Sequence, residues 1–232
     1  MKRKITVLLA LVASIGLGAA AQAQTKKAFS VGEVEILDKA AYDALVKVST
    51  PEIQKAGGQG LGTTLGKIVT ITGQPPKALI LIQWDSLEKA QAYFNSPFYK
   101  ETEPQRDKAF KTSRAYTVEA GPMFTGFTQG PKKAYWIREL EVTDQAALDR
   151  ATAAAATASP NPALQEISRQ TGRQASATAG QKIVTRVGEA PKRFALQGFA
   201  SLEQAQTFIK SPLNTPVQAT KTIREYIVEA AQ

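Results

Sequence analysis

The chain has 232 residues, with 29 Lys and Arg against 20 Asp and Glu, and contains neither cysteine nor histidine. That composition excludes a disulfide framework, a thiolate nucleophile and a Cys-type zinc site. It also excludes a Ser-His-Asp triad, imidazole acid–base chemistry and a His-ligated haem.

The first residues read as an export leader. Lys2, Arg3 and Lys4 precede the uncharged apolar stretch Ile5 to Gly18, and Ala21-Gln22-Ala23 supplies a small-x-small cleavage site. The apolar stretch is shorter than the roughly 18–20 residues a spanning helix needs. The reading is a signal peptide over 1–23, and a mature chain that is periplasmic or secreted with no membrane span. Removing the leader lowers the net charge from +9 to +6. The remaining basic residues are scattered, with isolated pairs such as Lys26-Lys27 and Lys192-Arg193. Nucleic-acid binding needs a clustered patch, so no nucleic-acid partner is expected.

The first unit, 24–121, is read as β-α-β-β-α-β. From Phe29 to Leu37 the pattern is that of a strand, with Val34 and Ile36 on one face and Val31, Glu33 and Glu35 on the other. Lys39 to Lys55 follows as a helix with an apolar stripe of Tyr42, Leu45, Val46 and Ile53. Gly-rich Ala56 to Gly66 reads as a flexible loop. It is not a phosphate loop, because it lacks the G-x-x-x-x-G-K-[ST] spacing and enters a strand. Lys67 to Thr72 is a strand, Gly73 to Pro76 a turn, and the almost wholly apolar Ala78 to Trp84 a central strand. Ser86 caps a helix whose buried stripe is Leu87, Ala90, Tyr93 and Phe94, and which ends at Pro97. A further helix is expected over about Lys100 to Ser113, then a strand from Ala115 to Ala120.

A Gly- and Pro-rich linker, 122–133, leads to a second unit, 134–232, with the same order. Its first helix is Ala-rich around Ala151 to Ala156, breaks near Pro160-Asn161-Pro162, and resumes about Ala163. The two units share sequence. Ser86-Leu87-Glu88 through Ser96-Pro97 recurs as Ser201-Leu202-Glu203 through Ser211-Pro212, an offset of 115 that also relates Ile68-Val69-Thr70 to Ile183-Val184-Thr185. Glu33-Val34-Glu35 matches Glu139-Leu140-Glu141 at an offset of 106, and Tyr116 to Ala120 matches Tyr226 to Ala230 at 110. Four segments kept in order read as a tandem duplication.

The order of elements is that of the split β-α-β, ferredoxin-like unit. Glu33-Val34-Glu35 with Asp38 and Tyr42, Gly57-Gly58, Ser86 to Ala90, Ser96-Pro97-Phe98-Tyr99, Arg106 and Val118 to Gly121 together resemble a family of dimeric α/β-barrel domains catalogued as domain of unknown function thirteen-thirty. The second unit resembles it less: Leu213-Asn214 replaces the Phe-Tyr pair, and no arginine follows at the matching spacing. The resemblance implies two sheets packed face to face, usually across a homodimer. It also implies that a tandem chain could close the barrel within itself. The expected fold class is therefore α+β, two ferredoxin-like units forming an intramolecular, pseudo-dimeric α/β barrel. The superfamily includes cofactor-free monooxygenases, isomerases and haem proteins.

Candidate site residues follow from parity and position. Glu33, Glu35, Glu139 and Glu141 lie opposite the apolar stripes and point between the sheets, either as general bases or to bind a cationic ligand, or as strand-end charges that meet water or an arginine. Tyr99 and Arg106 could clamp an anionic group, or Tyr99 could close the core while Arg106 pairs with Glu119. Trp84 and Trp136 serve the core or the inter-sheet space, or line a pocket. No metal constellation and no cofactor is indicated. The expected role is binding of a small molecule at an inter-sheet cavity. The alternatives are a cofactor-independent monooxygenase- or isomerase-like enzyme, and a structural or stress-linked protein without a pocket.

Overall fold

The computed structural model describes residues 26–63, 67–121, 124, 126–127, 134–157, 161–179, 182–212 and 219–230. The leader with its cleavage site, most of the 122–133 linker, Pro160 and the Leu213-Asn214 pair lie outside the described residues. No described helix is long and apolar enough to cross a membrane.

In the first half, β1 (Ala28–Ile36) leads to α1 (Lys39–Lys55), β2 (Gly58–Thr63), β3 (Ile68–Thr72), β4 (Ala78–Trp84), α2 (Leu87–Phe94), α3 (Pro97–Glu101), α4 (Glu103–Ala109) and β5 (Phe110–Glu119). In the second, β6 (Ala134–Val142) leads to α5 (Gln145–Thr157), α6 (Pro162–Gln170), β7 (Gln174–Ala179), β8 (Ile183–Val187), β9 (Arg193–Phe199), α7 (Leu202–Lys210) and β10 (Thr220–Glu229). Side-chain oxygens start the helices. Asp38 accepts from the Ala41 amide, Ser86 from Lys89 and Ser201 from Gln204, each satisfying a donor the helix itself leaves open. The break in the second half's first helix falls where Asn161 caps α6 and Pro162 occupies its first turn.

The strands form two antiparallel sheets, ordered β2-β4-β1-β5-β8 and β3-β10-β6-β9-β7. Each sheet thus takes four strands from one half and one from the other. The β-α-β-β-α-β unit read from the sequence does not keep all its strands in one sheet, because the strand following the Gly-rich segment crosses to the opposite sheet. An unpaired β5 or β10 edge would expose a row of backbone donors and acceptors, and the exchanged strands cover both. The two exchanges have corresponding registers. Tyr116, Thr117 and Val118 face Thr185, Val184 and Ile183, while Tyr226, Ile227 and Val228 face Thr70, Val69 and Ile68.

Three further boundaries differ from the sequence reading. Gly58–Thr63, expected as loop, is the edge strand β2 against β4. Glycine permits this approach, since a Cβ on Gly58 would lie 2.7 Å from both Ile53 and the Trp84 ring. Gly62, at φ 115°, sits where the register shifts. The helix expected to run to Ser113 stops at Ala109, and Phe110, Lys111 and Thr112 pair with Ile36, Glu35 and Val34. Asn95 closes α2, and Pro97, expected to end that helix, opens α3 behind the Ser96 cap.

The sheets face each other across one apolar core. Phe29, Val31, Leu79, Leu81 and Val118 meet Ile137, Phe194, Leu196 and Val228, with Tyr116 and Tyr226 among them. Phe124 and Phe127, from the segment joining the halves, pack on Phe29 at 5.1 and 5.9 Å between ring centroids. Trp84 and Trp136 belong to the outer layers instead. Trp84 packs beneath α2 with Leu87 and Tyr93, and Trp136 packs with Phe199 and Phe208.

Burial sets the alkaline limit of this fold. It raises the Tyr116, Tyr135 and Tyr226 phenols, with the Glu139 charge adding to the effect at Tyr116 and Tyr226, and it lifts Tyr93 to about 12. A phenol whose folded pKa exceeds its unfolded value of about 10 keeps its full contribution to stability below that pH. The contribution is lost as pH rises through the folded value, because the unfolded chain releases the proton first. Absorbance at 295 nm and far-UV ellipticity should therefore change together above pH about 10. Phenolate forming at these positions with the ellipticity intact would contradict this packing.

Candidate functional site

Two clusters of polar side chains stand out, one between the sheets and one outside them. Between the sheets, Glu33 of β1 and Glu139 of β6 approach each other with Arg114 of β5 and Arg224 of β10. Arg114 Nη1 lies 2.8 Å from Glu33 Oε1 and 3.0 Å from Glu139 Oε1. Arg224 Nη1 lies 2.6 and 3.1 Å from the same two oxygens. The glutamates are 6% and 4% exposed, the arginines 20% and 16%. Two cations and two anions balance, and each arginine bridges carboxylates of both halves. Burial pushes both guanidinium pKa values down, but hydrogen bonds to Glu139 (Arg114) and Glu33 (Arg224), with the charge of both carboxylates, raise them overall. Tyr116 donates to Glu139 Oε1 at 3.3 Å, while the buried Tyr226 hydroxyl has no hydrogen-bond partner among the described residues.

Parity thus brings Glu33 and Glu139 between the sheets as expected, and the partner each meets is an arginine. Glu35 and Glu141 are not there. Each stands two residues nearer the end of its strand, and Glu35 pairs at the surface with Lys77 at 2.6 Å, as Glu141 does with Lys192 at 3.2 Å. Glu119 pairs with Lys26 at 2.9 Å, not with Arg106. Trp84 donates its indole N–H to Ser30 Oγ at 2.8 Å beneath α2, and Trp136 donates to Glu225 at 2.8 Å.

The second cluster lines a cleft of about 760 Å³ on the outer face of the first sheet, between α2–α4 and strands β5 and β8. This is not the inter-sheet cavity expected from the sequence; the space between the sheets is occupied by the core and the charged quartet. Gln91, Phe94 and Tyr99 come from α2 and α3, Arg106 from α4, Lys111 and Thr117 from β5, and Val184, Arg186 and Val187 from β8 of the other half. Arg106 lies over the Tyr99 ring, 3.7 Å from its centroid, and its Nη1 donates to the Tyr99 carbonyl and to Thr102 Oγ1. Arg186 lies over Phe94 at 3.4 Å and donates to the Tyr99 hydroxyl at 3.3 Å. Among the described residues no carboxylate lies within 4 Å of Arg106 or Arg186, and no cluster of three or more His, Cys, Asp or Glu could hold a metal.

Tyr99 and Arg106 are therefore brought together as the sequence suggested, whereas Arg186 was missed. The signal was present in the matching of the two halves. At the offset of 115, Arg186 stands where the first half has Ile71. Arg114 and Arg224, also missed, correspond at the offset of 110 that relates Tyr116 to Tyr226.

Residues 27–120 match the family described as a domain of unknown function (DUF1330). No curated protein matches the chain. Among solved structures, a putative chlorite dismutase is similar with a TM-score of 0.54 at 10% identity, over 90% of this chain and 96% of that one. A heme-binding protein from Thermus thermophilus is similar with a TM-score of 0.52 at 10% identity, over 89% and 92%. At such identity the likeness concerns the fold: two antiparallel sheets with, among the described residues, seven helices, as in dimeric α/β barrels.

Proposed function

We propose that this protein is an exported small-molecule-binding protein built by tandem duplication of one ferredoxin-like unit, over 24–121 and 134–232. Its two units act as an intramolecular pseudo-dimer. The leader over 1–23 supports export. The corresponding registers of the two strand exchanges support duplication. So does the charged quartet, whose members stand at the repeat offsets. Two solved chains that each span about nine-tenths of this one support a barrel closed within a single polypeptide.

The observation that carries the binding role is the composite cleft. A volume of about 760 Å³ lies in the range of ordinary ligand sites, and Tyr99 and Arg106 of one unit converge there with Arg186 of the other. Haem does not carry over from the structural neighbours. The chain has no His or Cys to ligate the iron, and the inter-sheet space is packed. A general-base role for Glu33 or Glu139 draws no support either, since two arginines already engage each carboxylate.

The test is native mass spectrometry of protein purified from its own periplasm, comparing wild type with Val187→Trp. Val187 is an exposed cleft residue, so the indole fills the cleft without entering the core. A small molecule retained by wild type should be lost from the variant, or held roughly tenfold more weakly. Equal retention by both proteins would refute the cleft as the site.

A further inference from the structure

Resting on the cleft as the binding site, we propose that its ligand is an organic carboxylate with a flat apolar body, whose carboxylate is held by Arg186. The protein itself supplies the comparison. Arg114 and Arg224, the two arginines between the sheets, each reach two carboxylates. Arg186 is likewise part-buried, yet among the described residues it reaches only the Tyr99 hydroxyl and the face of Phe94, and its Nε is enclosed with no hydrogen-bond partner among them. Burial pushes its pKa down, consistent with a cation that has given up hydration without a matching anion. A cation so placed costs stability unless something pairs with it.

The chemistry of the walls narrows the ligand. A guanidinium is a planar fork whose Nε–H runs parallel to one Nη N–H, a spacing that fits the two oxygens of one carboxylate. Tyr99 occupies Nη1, and Tyr99 is in turn oriented by Arg106 stacked on its ring. Beyond these polar groups, Phe94, Phe110 and Val184 offer apolar surface for the body of the ligand. Glu103 and Asp107 also border the cleft, but both are exposed to water, and Lys111 on β5 adds a further cation. One enclosed fork against aromatic walls suits a single flat anion better than a phosphate, which calls for several converging donors.

The arrangement exists only because the halves differ. β8 brings Arg186 to the helices of the first unit. The corresponding exchanged strand, β3, brings Ile71 to the second sheet.

Titration calorimetry on the mature full chain can test this with three probes: 2-naphthoate, its neutral isostere 2-naphthamide, and inorganic phosphate. The expected result is at least roughly tenfold tighter binding of 2-naphthoate than of 2-naphthamide, a preference abolished in Arg186→Gln and reduced in Arg186→Lys, which keeps the charge but loses the fork. Arg169→Gln, at an exposed arginine on α6, should leave it unchanged. Circular dichroism establishes that each variant is folded, and the comparison on wild type needs no variant. Equal affinity for the acid and the amide, both lost in Val187→Trp, would overturn the carboxylate assignment and leave the cleft reading standing. Phosphate binding as tightly as 2-naphthoate would overturn it in favour of an inorganic oxyanion. Failure of both aromatic probes to bind would overturn it as well. Retained ligand indifferent to Val187→Trp would remove the cleft reading beneath it.

Discussion

Replacing Glu33 by alanine is expected to cost about 3–5 kcal/mol of stability, a fall of roughly 6–20 °C in Tm for a chain of this size. The reason is charge balance around two carboxylates almost wholly withdrawn from water. Glu33 accepts from Arg114 at 2.8 Å and from Arg224 at 2.6 Å, and its side chain is 6% exposed. Without it, two guanidinium groups share the single remaining carboxylate of Glu139. Glu139→Ala should behave alike. Glu35→Ala removes a carboxylate two residues further along the same strand. Its pair with Lys77 stands in solvent, 45% exposed on the glutamate side, so the urea midpoint there should stay close to that of wild type. Urea unfolding of the three variants reads the difference directly. Glu33→Ala no more costly than Glu35→Ala would mean that the quartet does not hold the sheets together.

Residues 24–121 expressed alone are expected to fold only as a homodimer. The isolated unit would carry an uncovered apolar sheet face, with Phe29, Val31, Leu79 and Leu81 on it. Its β5 edge would lack β8, and its β3 would have no β10 to pair with. A second copy supplies all three needs. Its β3 can take the place of β8, since Thr70, Val69 and Ile68 correspond to Thr185, Val184 and Ile183. The charges also close, because two copies of Glu33 and two of Arg114 rebuild a neutral quartet. Light scattering should give twice the monomer mass, and the unfolding midpoint should rise with protein concentration. The same dimer places Ile71 where the full chain has Arg186, so it should lose any preference for 2-naphthoate over 2-naphthamide. A folded monomer would contradict the pseudo-dimer reading.

Much of the architecture was legible because it is written in local patterns. Alternation marked β1 and the apolar run marked β4. Ser86 marked a helix start through a hydrogen bond made within three residues, and Pro160-Asn161-Pro162 marked a break in another helix. Offset arithmetic aligned the halves. Errors arose where neighbours in space outweighed neighbours in sequence. Gly58–Thr63 has the composition of a loop, yet β4 offers a free edge and Trp84 leaves room only for glycine. Phe110 to Ser113 continues a helical pattern, yet β1 recruits most of it as strand.

For the candidate site the division is sharper. Composition alone excluded thiol, imidazole and His-ligated haem chemistry, and strand parity sent Glu33 and Glu139 between the sheets; these follow from residue identity and the two-residue period of a strand. Which charges those glutamates meet, and the meeting of Tyr99 with Arg186 across 87 positions of chain, followed only once β3 and β8 had changed sheets. Strand exchange is settled by which bare edges and apolar faces must be covered, a property of the assembled sheets that no local stretch of residues carries.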